Sequence, residues 1–258
     1  MMKPLIDRSM FREAMIDSGA LATRSSIIHR LEETGMYKGR IYRGTEKVGK
    51  FTVNVSPQAP APGVLSPGHI KIDLAGLDTT TGAGRTDIAP TFIMNSGGVL
   101  IFYVSTGSRE YSVKLYFRDG KKGPQKVFDS QVLQAGDVFV THVMRPGVYQ
   151  VKNTLGKGSA ELTVEYPGKG KNKANMEPAV IECAKSSMNP KTATVQSVQP
   201  LMIGCTQDSR ITIELTKADD RPCPAKKPAV HRPVLRPKRN EPASPTQKKI
   251  IRTIKFFG

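Results

Sequence analysis

Over the first 35 residues apolar positions recur every three or four residues, and from Met36 they recur every two. In "DRSMFREAMIDSG" the residues Met10, Phe11, Ala14 and Met15 share helical spacing, with Asp7 or Ser9 at the cap and Gly19 at the stop. A second short helix is predicted between a Thr23 or Ser25 cap and Gly35, with Ile27, Ile28 and Leu31 as its stripe. Short helices of this kind are marginal alone and must pack on something.

The segment "MYKGRIYRGTEKVGKFTVNVS" alternates Tyr37, Ile41 or Tyr42, Val48, Phe51, Val53 and Val55 with polar residues, and its Gly44-Thr45 break predicts a hairpin. The stretch "SPQAPAPGVLSPG" then places four prolines and two glycines in thirteen residues, which reads as a stiff connector. Residues 69 to 167 follow as consecutive strands, "HIKIDLAGL", "IAPTFIMN", "GVLIFYVS", "YSVKLYFRDG", "QVLQAGDVFVTHV", "GVYQVKN" and "AELTVEY", broken by Gly-rich turns. That rhythm predicts an antiparallel sandwich. Beyond a basic loop, "AVIECA", "TATVQSVQPLMIG" and "RITIELTKA" extend the β-rich region to Ala218. No fixed-period repeat emerges, although "KFTVNVS" and "ELTVEYPG" resemble each other as strand ends. The predicted organisation is 1–56 helices and hairpin, 57–68 linker, 69–168 sandwich, 169–218 β-rich extension and 219–258 tail.

Residues 88 to 167 resemble the cupredoxin family of small Greek-key sandwiches. "IAPTFIMNSGGVLIFYVS" is similar to the strands before that family's first ligand region, "QAGDVFVTHVMRPGVYQVKN" to its Gly-Asp turn and Pro-Gly-x-Tyr strand, and "GSAELTVEYP" to its closing strand. The resemblance implies a cupredoxin-like fold and, in the family, copper held by His, Cys and Met. Here Tyr111 or Ser112 stands at the first His position, and Lys152, Asn153 and Gly156 stand near the Cys and His positions. These side chains supply neither thiolate nor imidazole, so no cofactor is expected. His142 and Met144 precede the turn, but two donors on one strand do not make a site.

Charge changes the picture next. The 258 residues carry 39 Lys and Arg against 22 Asp and Glu, a net +17 that favours anionic partners. The tail concentrates it: from Arg221 onward there are seven prolines and eleven cations against Glu241 alone, a composition that cannot bury a core. Its candidate partner-binding residues are Arg232, Arg236, Lys238 and Arg239, then the terminal "KKIIRTIKFF". A helix there puts Ile250, Ile254 and Phe257 on one side with Ile251 beside them, Phe256 adjacent, and Lys248, Lys249, Arg252 and Lys255 around them. That is a basic amphipathic segment suited to anionic lipid or a partner's groove.

Other chemistry finds little to build on. Cys183, Cys205 and Cys223 lack C-x-x-C spacing, and a Cys183 to Cys205 bridge across a hairpin stands beside the alternative of two half-buried thiols. Four His are scattered, "GKKGPQK" and "GKGKNKAN" do not match a phosphate-binding loop, and no nucleophile elbow occurs. No apolar run reaches 18 residues, and Asp7, Arg12, Glu13 and Asp17 interrupt the N-terminus, so neither a membrane span nor a signal is read. The expectation is a mainly β, Greek-key sandwich with two N-terminal helices and an extended basic tail. Its expected role is a non-enzymatic accessory subunit, cytoplasmic or peripheral to a membrane, that docks on protein subunits or an anionic membrane surface. Nucleic acid ranks second as partner, because aromatics are 6% of residues, Trp is absent and no motif sets stacking rings beside the charge. A copper or redox protein ranks third.

Limited trypsin digestion is expected to cut first at Lys and Arg residues beyond Asp219, leaving a β-rich core whose thermal midpoint is unchanged. Mass spectrometry of the first fragments checks this.

Overall fold

The computed structural model describes residues 13–57, 68–80, 89–107, 110–118, 123–166 and 177–220. All belong to one compact unit that ends at Asp220. The candidate tail residues Arg232 to Phe257 lie outside the described residues.

The described chain contains seventeen strands and no helix. They are β1 (Met15–Asp17), β2 (Ser26–Arg30), β3 (Gly35–Arg43), β4 (Glu46–Ser56), β5 (His69–Asp73), β6 (Thr91–Asn95), β7 (Val99–Tyr103), β8 (Ser112–Arg118) and β9 (Gln125–Asp129). Then follow β10 (Val138–His142), β11 (Gly147–Asn153), β12 (Ser159–Glu165), β13 (Ala179–Cys183), β14 (Met188–Asn189), β15 (Thr192–Gln196), β16 (Pro200–Cys205) and β17 (Ile211–Ala218). They form three sheets, ordered β6-β4-β3-β8-β9, β15-β12-β11-β17-β1 and β14-β13-β16-β10-β2-β7-β5. The seven-stranded sheet packs one half against each five-stranded sheet. Phe51 of β4 lies 6.2 Å from Phe102 of β7, and Phe102 stacks on Phe128 of β9 at 5.5 Å. On the other side Tyr149, Leu162 and Ile213 share the core with Phe139, Ile181 and Ile203.

Neither predicted helix forms where the structure describes it. In β2 the inward residues are Ile27 and His29, followed by Leu31, a period of two that the polar His29 hid from a hydrophobicity reading. Met15, Ile16 and Asp17 extend because they pair with Glu214, Ile213 and Thr212, and three residues are too few to show a period. The sequence reading also passed over β9, whose Phe128 is buried among apolar neighbours from two sheets. Strands on both sides of the Pro-rich stretch share sheets: β3 pairs with β8, and β2 pairs with β7 and β10. The stretch 69–168, read as one sandwich, contributes strands to all three sheets.

The two halves of the chain have one topology. Reading β1–β8 against β9–β17, with the two-residue β14 as the one added strand of the second half, each half sets a parallel pair beside its central hairpin, β4 with β6 and β12 with β15, and a parallel pair in the shared sheet, β5 with β7 and β13 with β16. Side chains repeat too. Gly35 and Gly147 open β3 and β11 at φ of 145° and 150°, and two residues later the Tyr37 and Tyr149 hydroxyls donate to the carbonyls of Glu33 and Arg145, both at 2.7 Å. In "IDSGAL" and "FDSQVL" the buried Ser18 and Ser130 hydroxyls accept the amides of Ile211 and Val113, each at 2.9 Å. The first strand of each half pairs with the last strand of the other half: β1 borders β17, and β9 borders β8.

This internal match exposes backbone strain. Gly97 of the first half and Gly136 of the second hold positive φ of 80° and 89°, and their counterparts in the opposite halves, Val198 and Arg24, hold 70° and 81°. A β-branched residue in the left-handed region costs about 1–2 kcal/mol, against roughly 0.5–1 for the entropy of a glycine. Val198→Gly is therefore expected to stabilise by up to about 1 kcal/mol, while Gly97→Val destabilises by about 1–2. Urea unfolding of both variants checks the opposed signs.

Candidate functional site

The outer face of the β6-β4-β3-β8-β9 sheet is set by strand alternation. Tyr37, Gly39 and Ile41 point inward and are buried, so Met36, Lys38, Arg40 and Tyr42 stand outward. Register then assembles rows across the sheet. Arg40 lies between Lys50 and Lys114, and Lys38 lies between Thr52 and Tyr116, with Lys126 beyond. Met36 adjoins Arg118.

Lys38, Arg40, Lys50, Lys114, Arg118 and Lys126 thus share one surface with two tyrosines. The Arg40 guanidinium sits 4.4 Å from the centre of the Tyr116 ring, and the Lys114 ammonium 5.4 Å from that of Tyr42. One carboxylate offsets the charge locally, since Asp129 pairs with Lys114 at 3.3 Å and Lys126 at 3.2 Å. Cationic and ring-bearing, the face can hold a chain of anions and stack planar groups.

The second half of the chain provides a comparison within one molecule. Tyr37 pairs with Val53 and Phe117, and Tyr149 pairs with Leu162 and Leu215, which aligns the two outer faces residue by residue. Lys38, Arg40, Lys114 and Tyr116 then correspond to Gln150, Lys152, Thr212 and Glu214, while Thr52 and Ser56 correspond to Glu161 and Glu165. There Lys152 is tied to Glu214 at 3.1 Å. The fold tolerates either surface, so the basic, tyrosine-bearing one is not a requirement of folding.

A cleft of about 630 Å³ opens at the β4 edge of this face. Lys47, Lys50, Lys71, Asp73, Phe92 and Tyr103 line it, with the turn after β5 closing one side. That turn lies so close that a Cβ on Gly49 would stand 2.5 Å from the Leu77 carbonyl oxygen. Asp78 anchors it: its carboxylate accepts Thr80 N–H at 2.8 Å, Thr80 Oγ1 at 2.6 Å, the Tyr111 hydroxyl at 3.0 Å and Arg43 at 3.1 Å. Burial alone raises the Asp78 carboxyl, but these hydrogen bonds and the Arg43 charge together hold it below its ordinary 3.8.

The remaining candidate chemistry is dispersed. Tyr111 and Ser112 sit at the start of β8, whereas Lys152, Asn153 and Gly156 sit at the end of β11, where Asn153 Nδ2 donates to Ser209 Oγ at 3.1 Å. His142 Nδ1 faces the Arg24 carbonyl at 3.4 Å. Among the described residues no three His, Cys, Asp or Glu side chains gather as a metal site. Cys183 and Cys205 are free, buried and opposite each other on parallel strands, not across a hairpin. Burial pushes the Cys205 thiol up to about 12 and raises Cys183 as well. Sequence reasoning missed the His29–Asp137 pair, 2.7 Å apart and buried, because 108 residues separate its members. No described helix is long and apolar enough to cross a membrane.

Comparison with protein families, with curated proteins and with solved structures finds no match.

A depressed carboxyl stabilises the fold above its unfolded-state pKa, and that contribution is lost as pH falls through the lower folded value. Asp78→Asn is accordingly expected to lower the thermal midpoint more at pH 7 than at pH 3. Paired melts at the two pH values check it.

Proposed function

We propose that the chain is a non-catalytic binding subunit whose ligand is single-stranded nucleic acid, held on the outer face of the β6-β4-β3-β8-β9 sheet. The observation that carries this is the placement of Tyr42 and Tyr116 among six cations, where the second half keeps a cation at two of the equivalent positions, Lys152 for Arg40 and Lys217 for Arg118, ties Lys152 to Glu214, and has Glu214 in place of Tyr116. The rings reverse the order of partners expected from sequence, where no stacking groups stood beside the charge. An open sheet face suits unpaired bases, which present their faces to tyrosine and arginine, and does not enter a duplex groove. Met36 and Ile93, both exposed, add apolar contact at one margin.

The basic segments around Arg232 to Arg239 and Lys248 to Phe257 supply a second contact in this reading, to the same polyanion or to a neighbouring subunit. The cupredoxin-like, Greek-key frame read from residues 88–167 enters as a rigid support. Its backing is the β11–β12 hairpin across the Gly-rich turn. Docking on an acidic protein or an anionic membrane uses the same charge without the rings.

Fluorescence anisotropy with fifteen-residue oligo-dT and oligo-U is expected to show salt-dependent binding. Tyr42→Ala and Tyr116→Ala should each weaken it by about tenfold, the scale of one lost base stack. Lys38→Gln with Lys126→Gln should reduce the salt slope by about 0.7 for each contact removed. Binding indifferent to both tyrosines, or matched by phosphatidylserine vesicles, overturns the nucleic-acid reading.

A further inference from the structure

The cleft beside the basic face repeats the same asymmetry in a more closed setting. Three lysines, Lys47, Lys50 and Lys71, reach it from β4 and β5, and none forms an ion pair among the described residues. Its carboxylate, Asp73, is engaged by Ser105 through the amide at 3.2 Å and the hydroxyl at 2.5 Å. Two rings, Phe92 and Tyr103, form apolar walls, with Phe92 edge-on to the buried Phe51 at 6.2 Å.

Register places the counterparts of all five in the second half. Val53 pairs with Phe92 as Leu162 pairs with Ala193, and Lys71 and Tyr103 correspond to Val180 and Gly204 through the β5–β7 and β13–β16 pairs. Lys47 and Lys50 correspond to Gly156 and Ser159. The turn that closes the cleft is kept, since Gly49 and Gly158 both lie under a carbonyl, at 2.5 Å and 2.8 Å from where a Cβ would stand. The second half therefore retains the hollow's frame without a single cation or ring of its lining.

Three unpaired ammonium groups around one hollow exceed what an internal phosphodiester, with one negative charge, requires. A terminal phosphomonoester carries about −1.5 to −2 at neutral pH and three acceptor oxygens. Lys50 belongs to both surfaces, opposite Arg40 on the sheet and at the mouth of the cleft. A strand lying along the face would reach the cleft at that point and meet the turn after β5, so the terminal nucleotide is the part of the strand placed to enter it. The rings offer the terminal base a wall to pack on.

We infer that this cleft is a strand-end site, taking the phosphorylated terminal nucleotide of a single strand whose body lies on the sheet. The inference rests on the nucleic-acid reading of the face. Its test uses the full chain and three oligonucleotides of one sequence, ending in a 5′-phosphate, a 3′-phosphate or hydroxyls only. One phosphorylated end is expected to bind about tenfold or more tightly than the hydroxyl-ended strand, the scale of one charge-assisted contact. Lys47→Gln with Lys71→Gln should bring that ratio to about one, while Tyr116→Ala weakens all three strands and keeps the ratio. A ratio of one in the unaltered protein, with strand binding intact, overturns the end site and leaves the face standing. A ratio that survives the double lysine change overturns it as well. Failure of every strand to bind overturns both readings.

Discussion

The pairing of β2 with β10 is the constraint on which the rest depends. Phe139 faces Ile27 across it, with Val138 opposite Ile28 and Val140 opposite Ser26, and this short antiparallel seam turns two half-sheets into one of seven strands. Side chains close both ends: His29 bonds Asp137 at 2.7 Å, and Ser25 bonds Thr141 at 3.0 Å. The two contacts are the same contact in the repeat, since Ser25 and His29 occupy the positions of Asp137 and Thr141. The buried imidazole also meets the Phe128 ring, tilted, at 4.1 Å, which ties the seam to the β6-β4-β3-β8-β9 sheet. A polar pair buried this deeply is favourable only when each group has a partner, so the seam specifies its register as well as its strength.

Around that seam the halves divide common tasks from particular ones. Both use a glycine at positive φ before an inward tyrosine, both bury a serine that accepts an amide from the last strand, and both close with a parallel strand pair. These features answer requirements of the backbone, whose buried donors and acceptors must be satisfied. The outer surfaces answer no such requirement. One half places Lys38, Lys114 and Tyr116 where the other places glutamine, threonine and glutamate, and the lysine that the other keeps at the position of Arg40 is paired with that glutamate, although both sheets have the same order. Physical comparison inside a single chain thereby separates what the fold needs from what a ligand would need.

The cleft follows the same division at closer range. Its shape comes from a turn pressed on β4, possible because Gly49 lacks a Cβ, and held by Asp78 through Thr80, Tyr111 and Arg43. Its lining comes from residues that no backbone contact demands. Lys47, Lys50, Lys71, Phe92 and Tyr103 arrive from four different strands, or their margins, of two sheets.

Strand alternation made most of the elements legible in the amino-acid sequence, because a half-buried strand must alternate and the turns between must carry Gly, Asn or Pro. The β3–β4 hairpin about Gly44 and Thr45, and the strands β5 to β8, β10 to β13 and β17, follow from that local rule, whereas β15 and β16 run together in the sequence as "TATVQSVQPLMIG" and only the structure parts them into two sheets. The net positive charge was equally plain. Where the rule was broken the reading failed: His29 on an inward position disguised β2 as helical, and β1 and β9 were too short or too polar to declare themselves. The repeat was hidden because the halves share scattered positions, such as Tyr37 and Tyr149, spaced unevenly through loops of different length. Which surfaces the charge would occupy was decided only by tertiary structure. Register between strands far apart in sequence sets Tyr116 beside Arg40 and Lys38, and no local pattern encodes that pairing. Sequence determined that the chain would be a basic β protein; long-range register decided where its cations and rings converge.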